Sequence, residues 1–234
     1  MNSLEGKTAI VTGASRGIGL AICRALQAAG VRLGMLARRQ PPQDVNGIFV
    51  GCDFAEVESI PQAVRQIIDG LGVVDVVVNN AGMFLEKSVS ETTLEEWERV
   101  LRVNLTATFL VTREVLGGMI ARRQGRIINI ASTASVQGYL HQAAYVASKH
   151  AMLGFARAVA LEVRPYNIHV HSICPGGVKT DLLEGTCLGR RLQGQPMIQP
   201  EDVAAMVLFL LRQPDNVDLP ELIVRRFETA VSAR

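Results

Sequence analysis

Tyr145 and Lys149 lie four residues apart in Ala143–Arg164, a stretch whose pattern predicts a helix, so their side chains leave one face within reach of each other. That pairing permits a specific chemistry. An ammonium beside a phenol favours phenolate and lowers the tyrosine pKa, which would make Tyr145 a proton donor to a carbonyl oxygen near neutral pH. Ser132 lies thirteen residues earlier, just past a predicted strand. Carboxyl ends of strands are where α/β sheets bind their ligands, and from there the Ser132 hydroxyl could hold the reacting oxygen beside Tyr145. Taken singly, Ser132 reads as a turn residue among Thr133 and Ser135, and the spacing to Tyr145 is what points to chemistry.

A second group of residues suits a phosphate. Thr12-Gly13-Ala14-Ser15-Arg16-Gly17-Ile18-Gly19 follows the first predicted strand and opens directly into a helix. Glycines at 13, 17 and 19 let the backbone turn sharply and approach a pyrophosphate, while the helix start supplies free N–H groups and partial positive charge. The end of the second strand then chooses between dinucleotides. A carboxylate there accepts from a free ribose 2′-hydroxyl, whereas arginine pairs with a 2′-phosphate. The sequence reads Leu36-Ala37-Arg38-Arg39, with no acid until Asp44, and Arg16 faces the same pocket. The expectation is NADP(H) over NAD(H). The competing reading makes Arg38 and Arg39 solvated surface charge.

The elements that must position these residues alternate along the chain. Short Val- and Ile-rich runs predict strands at Lys7–Thr12, Val31–Ala37, Gly47–Cys52, Val74–Asn79, Arg126–Ala131 and Ile168–Cys174, with a weaker last one at Glu221–Arg225. Helical stretches lie between them at Ile18–Ala29, Val57–Asp69, Leu94–Val103, Ala107–Arg123, Ala143–Arg164 and Asp202–Arg212. This alternation predicts an α/β fold, a Rossmann-type doubly wound parallel sheet of about seven strands with helices on both faces. With 234 residues, 48% apolar, and no repeat or linker-like tract, the whole of 1–234 reads as one domain.

Composition excludes other classes. A formal net charge of +2, spread along the chain, gives no footprint of nucleic acid or an anionic membrane. No apolar run is long enough to span a bilayer, and the first residues lack the layout of a secretory signal. Cys23, Cys52, Cys174 and Cys187 form no CxxC pair, which argues against a disulfide framework or zinc site and for a reducing cytoplasm. His169 and His171 share a strand face but have no second cluster, so they read as ordinary strand residues and no metal is expected.

Gly13, Gly17 and Gly19, Asn79-Asn80-Ala81-Gly82, Asn104, Ser132, Tyr145-x-x-x-Lys149 and Pro175-Gly176 occur in this order. Together, from about residue 6 to residue 212, they resemble the short-chain dehydrogenases/reductases. The resemblance implies hydride transfer between a nicotinamide and a carbonyl or secondary alcohol. Tyr145 would be the general acid in reduction, Ser132 the orienter of the carbonyl, Lys149 a ribose ligand that also tunes the tyrosine, and Asn104 part of a water relay behind Lys149. Ser132 and Tyr145 would also form the substrate contacts. Asp53 would meet adenine with Phe54 beside it, Asn80, Ala81 and Gly82 would run past the ribose, and Val178 with Thr180 would hold the nicotinamide amide. Ser15, Arg16, Ile18, Arg38, Arg39, Pro175 and Gly176 complete the implied cofactor set. Read from the residues alone, Asn104 is a helix cap ahead of Thr106–Arg123, and Asp53 caps the helix around Glu56–Gly70.

The end of the chain departs from that pattern. Pro214–Phe227 replaces the glycine-rich segment many members carry after their last helix, so the tail 214–234 is atypical and the contact behind a homotetramer is in doubt. A homodimer follows from Ala143–Arg164, which is apolar nearly all round and needs cover on two sides. Met83–Glu91 and the glycine-containing stretch 181–199 read as substrate wall and lid, with Leu140, His141 and Met197 in the pocket. Arg190 and Arg191 either meet an acidic group there or are solvated. Arg122, Arg123 and Arg164 resemble the basic surface of acyl-carrier-protein reductases, or simply close helix C-termini. The functional expectation is an NADPH-dependent 3-oxoacyl thioester reductase acting on a small-molecule carbonyl or acyl-thioester substrate. A general ketone or aldehyde reductase and a non-catalytic NADPH-binding sensor are the alternatives.

Overall fold

A computed structural model describes residues 3–227. Seven strands, β1 (Thr8–Thr12), β2 (Arg32–Ala37), β3 (Ile48–Gly51), β4 (Val76–Asn79), β5 (Gly125–Ile130), β6 (Ile168–Pro175) and β7 (Glu221–Val224), form one sheet in the order β3-β2-β1-β4-β5-β6-β7. Every pairing is parallel. The order reverses at β1, which lies between β2 and β4, so the crevice at the carboxyl ends opens where the chain departs to opposite sides.

Alternation along each strand decides which helices it holds. Ala9 and Val11 of β1, Val76 and Val78 of β4, and Ile128 and Ile130 of β5 pack into one core. That core is completed by Ile22 and Leu26 of α1 (Gly17–Ala28) and Val203, Val207 and Leu210 of α7 (Pro200–Leu211). The residues that alternate with them, Ile10, Val77 and Ile127, enter the opposite core. There they meet α2 (Ile60–Leu71), α4 (Ala107–Arg122) and α5 (Ala143–Val163) through Ile67, Val111, Met119 and Val159. Burial on both faces explains why these strands carry Val and Ile continuously.

The remaining helices are α3 (Leu94–Leu101) and the short α6 (Cys187–Arg191). Thr93 starts α3 with a reciprocal cap: its hydroxyl accepts from Glu96 N–H at 3.2 Å and the Glu96 carboxylate accepts from Thr93 N–H at 2.9 Å. Two helices expected to be separate are joined here. A single wide π turn, Arg102–Thr106, carries α3 into α4 without leaving helical geometry. Asn104 therefore caps nothing, because a cap requires the chain to enter from an extended conformation. Asp53 does not cap α2 either. Its carboxylate accepts from Ala55 N–H at 3.0 Å, and a 3-10 turn at Val57–Ser59 intervenes before α2.

His169 and His171 stack with ring centroids 6.0 Å apart. Nδ1 of His171 lies 2.8 Å from the Leu219 carbonyl, and burial pushes its pKa down to about 4. Arg126 of β5 donates to the carbonyls of Leu210 and Gln213 and to Asp215, tying the end of α7 to the sheet. The tail then enters β7, which pairs with β6 from Ser172–Glu221 to Pro175–Val224. Residues 228–234 of the tail lie outside the described residues.

Candidate active site

The carboxyl strand ends border a cleft of about 780 Å³. Its floor at β1 is the glycine turn. Gly13 and Gly17 have φ of +67° and +53°, where an L side chain is strained. A Cβ on Gly19 would lie 2.2 Å from the Gly13 carbonyl oxygen, so α1 and the turn touch backbone to backbone. No side chain caps α1, which leaves N–H groups at its start for a ligand. The Asn80 amide donates to the carbonyls of Thr12 at 2.9 Å and Gly13 at 3.3 Å, while Thr12 Oγ1 accepts from the N–H groups of Asn80 and Ala81. Asn80 thus stitches the β4 end to the glycine turn as well as lining the cleft.

At the β2 end, Ala37, Arg38 and Arg39 line the cleft together with Asp53 and Phe54. Both arginines are exposed, and neither has a carboxylate partner among the described residues. Asp44, the first acid downstream, is held by Arg24 at 2.7 and 3.3 Å. Arg16 pairs with Asp181 at 3.3 Å, linking the glycine turn to the stretch after β6. Gly82, Pro175, Gly176, Val178 and Thr180 line the same cleft, as do Ser15 and Ile18. A Cβ on Gly17 would lie 3.3 Å from Thr180 Cγ2, so the two walls close on each other there.

The other end gathers Ser132, Tyr145 and Lys149. Ser132 Oγ accepts from Ala134 N–H at 3.1 Å, closing a 3-10 turn, and Ser132 and Tyr145 line the cleft together. Phe84 meets the Tyr145 ring edge-on at 5.0 Å. Lys149 Nζ donates to the Ile130 carbonyl at 3.0 Å and lies 5.9 Å from the Tyr145 ring centroid. One expectation is corrected here. Burial pushes the Tyr145 phenol up and the nearby Ser132 hydroxyl pulls it only partly back, the opposite of the lowering expected from Lys149. Burial also brings the Lys149 ammonium down to about 8, so the dry site costs both charged forms more than the pair regains.

Behind this group, Asn104 is wholly buried. Its amide oxygen accepts from Met83 N–H at 2.8 Å, and its amide nitrogen donates to the Met83 carbonyl at 3.0 Å and Ser148 Oγ at 2.9 Å. The Ser148 hydroxyl in turn donates a hydrogen bond to the Tyr145 carbonyl at 2.7 Å. Asn104 thereby holds the loop after β4 against the turn of α5 that carries Tyr145. A Cβ on Gly82 would come within 3.4 Å of the Asn104 amide oxygen and 3.8 Å of Lys149 Nζ.

The expected segments supply the substrate wall, through Met83 and Phe84 and through Asp181, Leu182, Leu183, Leu188 and Leu192, but several of the side chains expected in the pocket are not there. Leu140, His141 and Met197 are not among its lining residues; Phe84, Tyr139, Leu182, Leu183, Leu188 and Leu192 supply the apolar surface. Arg191 pairs with the buried Glu86 at 3.3 Å, and Arg190 donates to the Gly185 carbonyl, so neither faces the cleft. Arg225 and Arg226, just past β7, line it instead. Their position directly after the last strand was the available signal. Arg122 and Arg123 donate to the carbonyls of Val74 and Pro165, and Arg164 pairs with Asp218.

Residues 7–188 match the family model for short chain dehydrogenase. The chain is 36% identical over 228 residues to the 3-oxoacyl-(acyl-carrier-protein) reductase of Synechocystis, covering 92% of each. It is 35% identical over 224 residues to the D-beta-hydroxybutyrate dehydrogenase of Cupriavidus necator, covering 91% of this chain and 85% of the relative. Among solved structures, the alcohol dehydrogenase of Thermococcus sibiricus complexed with 5-hydroxy-NADP superposes with a TM-score of 0.83 at 28% identity, covering 94% of this chain and 96% of that one. The chain belongs to the short-chain dehydrogenase/reductase family. It is an oxidoreductase that acts on carbonyl or hydroxyl groups with a nicotinamide cofactor.

Proposed function

We propose that the protein is an NADPH-dependent carbonyl reductase whose substrate is a 3-oxoacyl thioester. The observation that carries the cofactor choice is at β2: two arginines without carboxylate partners among the described residues, and the nearest downstream acid already engaged by Arg24. Such a site offers charge-assisted bonds to a 2′-phosphate, and the segment after β2 itself places no carboxylate there to accept from a bare ribose hydroxyl. The Thermococcus structure, with its NADP analogue, supports the same choice. The reductase named in Synechocystis supports the substrate class.

The residues fit a dinucleotide laid from β2 across the glycine turn to Ser132. Gly13, Gly17 and Gly19 with the start of α1 would take the pyrophosphate, Arg16, Arg38 and Arg39 the 2′-phosphate, and Val178 with Thr180 the nicotinamide end. When bound, NADPH supplies the hydride that reduces the carbonyl carbon. Ser132 would hold the carbonyl oxygen, and Tyr145 would donate its phenolic proton to that oxygen. A phenol whose pKa is kept high by burial stays protonated at neutral pH, which suits an acid. Lys149, with its pKa near 8, can carry charge or release it near neutrality and so resupply Tyr145. Asn104 is a positioning residue for the turn bearing Tyr145. Because Ser132, Tyr145 and Lys149 are all assembled, turnover is favoured over a sensor that would need only the phosphate end.

The full chain 1–234 is assigned to one domain acting in the cytoplasm. Among the described residues no helix is long and apolar enough to cross a membrane. A homodimer is proposed through α4 and α5, where Leu161 and Phe109 are exposed and Phe109 stacks edge-on with Phe155. Following NADPH and NADH consumption with acetoacetyl thioesters, simple ketones and sugars tests the assignment. A clear NADPH preference with the thioester as best substrate is expected, and comparable efficiency with NADH refutes the cofactor choice.

A further inference from the structure

The loop after β4 is pinned to the body at closely spaced points. Asn104 bonds Met83 in both directions, Phe84 meets the Tyr145 ring edge-on, and Lys87 N–H donates to the His141 carbonyl at 2.6 Å. The Lys87 ammonium is taken by Glu96, 2.9 Å from each carboxylate oxygen. Glu86 stands between these fixed points with its side chain 7% exposed. Its carboxylate turns to the segment after β6: Oε2 accepts from Leu188 N–H at 3.0 Å and Oε1 from the Arg191 guanidinium at 3.3 Å. Both bonds are charge-assisted, the class roughly twice as strong as neutral ones.

The segment that Glu86 grips is itself compact. Thr186 Oγ1 accepts from Gly189 N–H at 2.9 Å and donates to the Leu183 carbonyl at 2.7 Å, and Arg190 donates to the Gly185 carbonyl at 3.1 Å. A Cβ on Gly189 would lie 2.1 Å from the Leu183 oxygen, so α6 rests backbone to backbone on the turn before it. The two ends of the segment are tied by the Arg16–Asp181 pair and by the bridge between Val178 and Ile198. Between those ties, among the described residues, α6 makes hydrogen bonds or ion pairs outside 181–199 with Glu86 alone. Leu188 joins the two roles. Its N–H is held by Glu86, and with Leu183 and Leu192 it lines the cleft that contains Phe84, Ser132 and Tyr145.

We propose that Glu86 is a positioning residue that fixes Leu188 and Leu192 as the apolar wall beside the reacting carbonyl, and so sets a preference for substrates with a hydrocarbon chain there. The inference rests on the reductase reading above and narrows its substrate. Each methylene laid against a fixed apolar wall raises kcat/KM about fourfold. The probes are 3-oxoacyl-N-acetylcysteamine thioesters and 2-alkanones, each of four and six carbons. For the wild type, kcat/KM for the six-carbon member should exceed that for the four-carbon member by roughly tenfold in at least one series. In E86A that ratio should fall to about threefold or less, mainly through KM. E86Q keeps an acceptor for Leu188 N–H and loses the charge, so it should fall between, as should R191Q. The double variant E86Q/R191Q should be no worse than either single one, because both break the same pair. Hydrogen exchange at the Leu188 amide of the free protein should be about 10–100-fold faster in E86A than in the wild type. Should E86A fail to fold, R191Q, altered at a side chain 59% exposed, carries the ratio comparison and E86Q/R191Q the exchange. A wild-type ratio near one in both series, a ratio unchanged by the variants, or unchanged exchange overturns the proposal. Should no compound be reduced, the reductase reading itself fails. Exchange then decides the role of Glu86: faster exchange at Leu188 in the variant supports it, and equal exchange overturns it.

Discussion

Replacing Lys149 with methionine tests the electrostatics of the site through folding rather than turnover. Lys149 is buried with its pKa brought from 10.5 down to about 8. Between those values the unfolded chain binds a proton that the folded chain has released, so stability rises with pH across this window. Below pH 8 the buried ammonium costs about 3 kcal/mol, and from pH 8 to pH 10 two pH units return about 3 kcal/mol of it at ~1.4 kcal/mol per unit. Other groups act in the opposite sense. Cys23 is pushed up to about 12 and Cys52 to about 11, and Cys174 is raised as well, so above pH 9 these thiols ionise mainly in the unfolded chain and lower stability. Tyr145, also raised, does the same above pH 10. Wild type and K149M share the Cys23, Cys52 and Tyr145 terms; Cys174 is electrostatically coupled to Lys149, so both proteins carry Cys174→Ala in this comparison, and their difference then isolates the lysine. Urea denaturation followed by the fluorescence of Trp97, the one tryptophan, at pH 7 to 10 should show the wild type gaining about 3 kcal/mol on the variant between pH 8 and 10. Parallel pH curves would refute the reasoning.

Two further outcomes follow from hydrogen bonds. Asn104→Ala removes three bonds from a side chain with no exposed surface and leaves Met83 N–H and the Met83 carbonyl unpaired. The expected loss is about 2–4 kcal/mol in the same denaturation experiment, and a loss below about 0.5 kcal/mol contradicts the positioning role. Asp181→Asn breaks an ion pair whose side chains are 53% and 52% exposed, so stability should hardly change. It also frees Arg16 for the 2′-phosphate. NADPH binding by calorimetry should tighten a few-fold with NADH unaffected, and weaker NADPH binding is the contrary result.

The sheet was legible because its central strands are buried on both faces. Ile10 and Val11 serve opposite cores, so the strand carries apolar residues continuously and stands out without a partner in view. The glycine turn was legible for a related reason: Gly19 meets Gly13 backbone to backbone, and only glycine fits. Asn104 was not. Nothing local distinguishes a π turn from the start of a new helix, and the contacts that define it, Met83 and Ser148, lie 21 and 44 residues away. The Tyr145–Lys149 spacing correctly brought the side chains together but said nothing about solvent. Burial of both reversed the pKa direction expected for the phenol. The substrate wall depended on which segment β7 delivers to the cleft, a matter of sheet order, so Arg225 and Arg226 were passed over in favour of Arg190 and Arg191.

Tyr145→Phe tests the central claim most directly, because it removes one oxygen from the proposed acid and leaves the ring against Phe84. Single-turnover NADPH oxidation with acetoacetyl-coenzyme A, run beside a titration of NADPH binding, separates chemistry from cofactor affinity. The account predicts a rate lower by about 10²–10⁴-fold with NADPH affinity unchanged. A variant that reduces the substrate within about tenfold of the wild-type rate would contradict the assignment of Tyr145 as the proton donor.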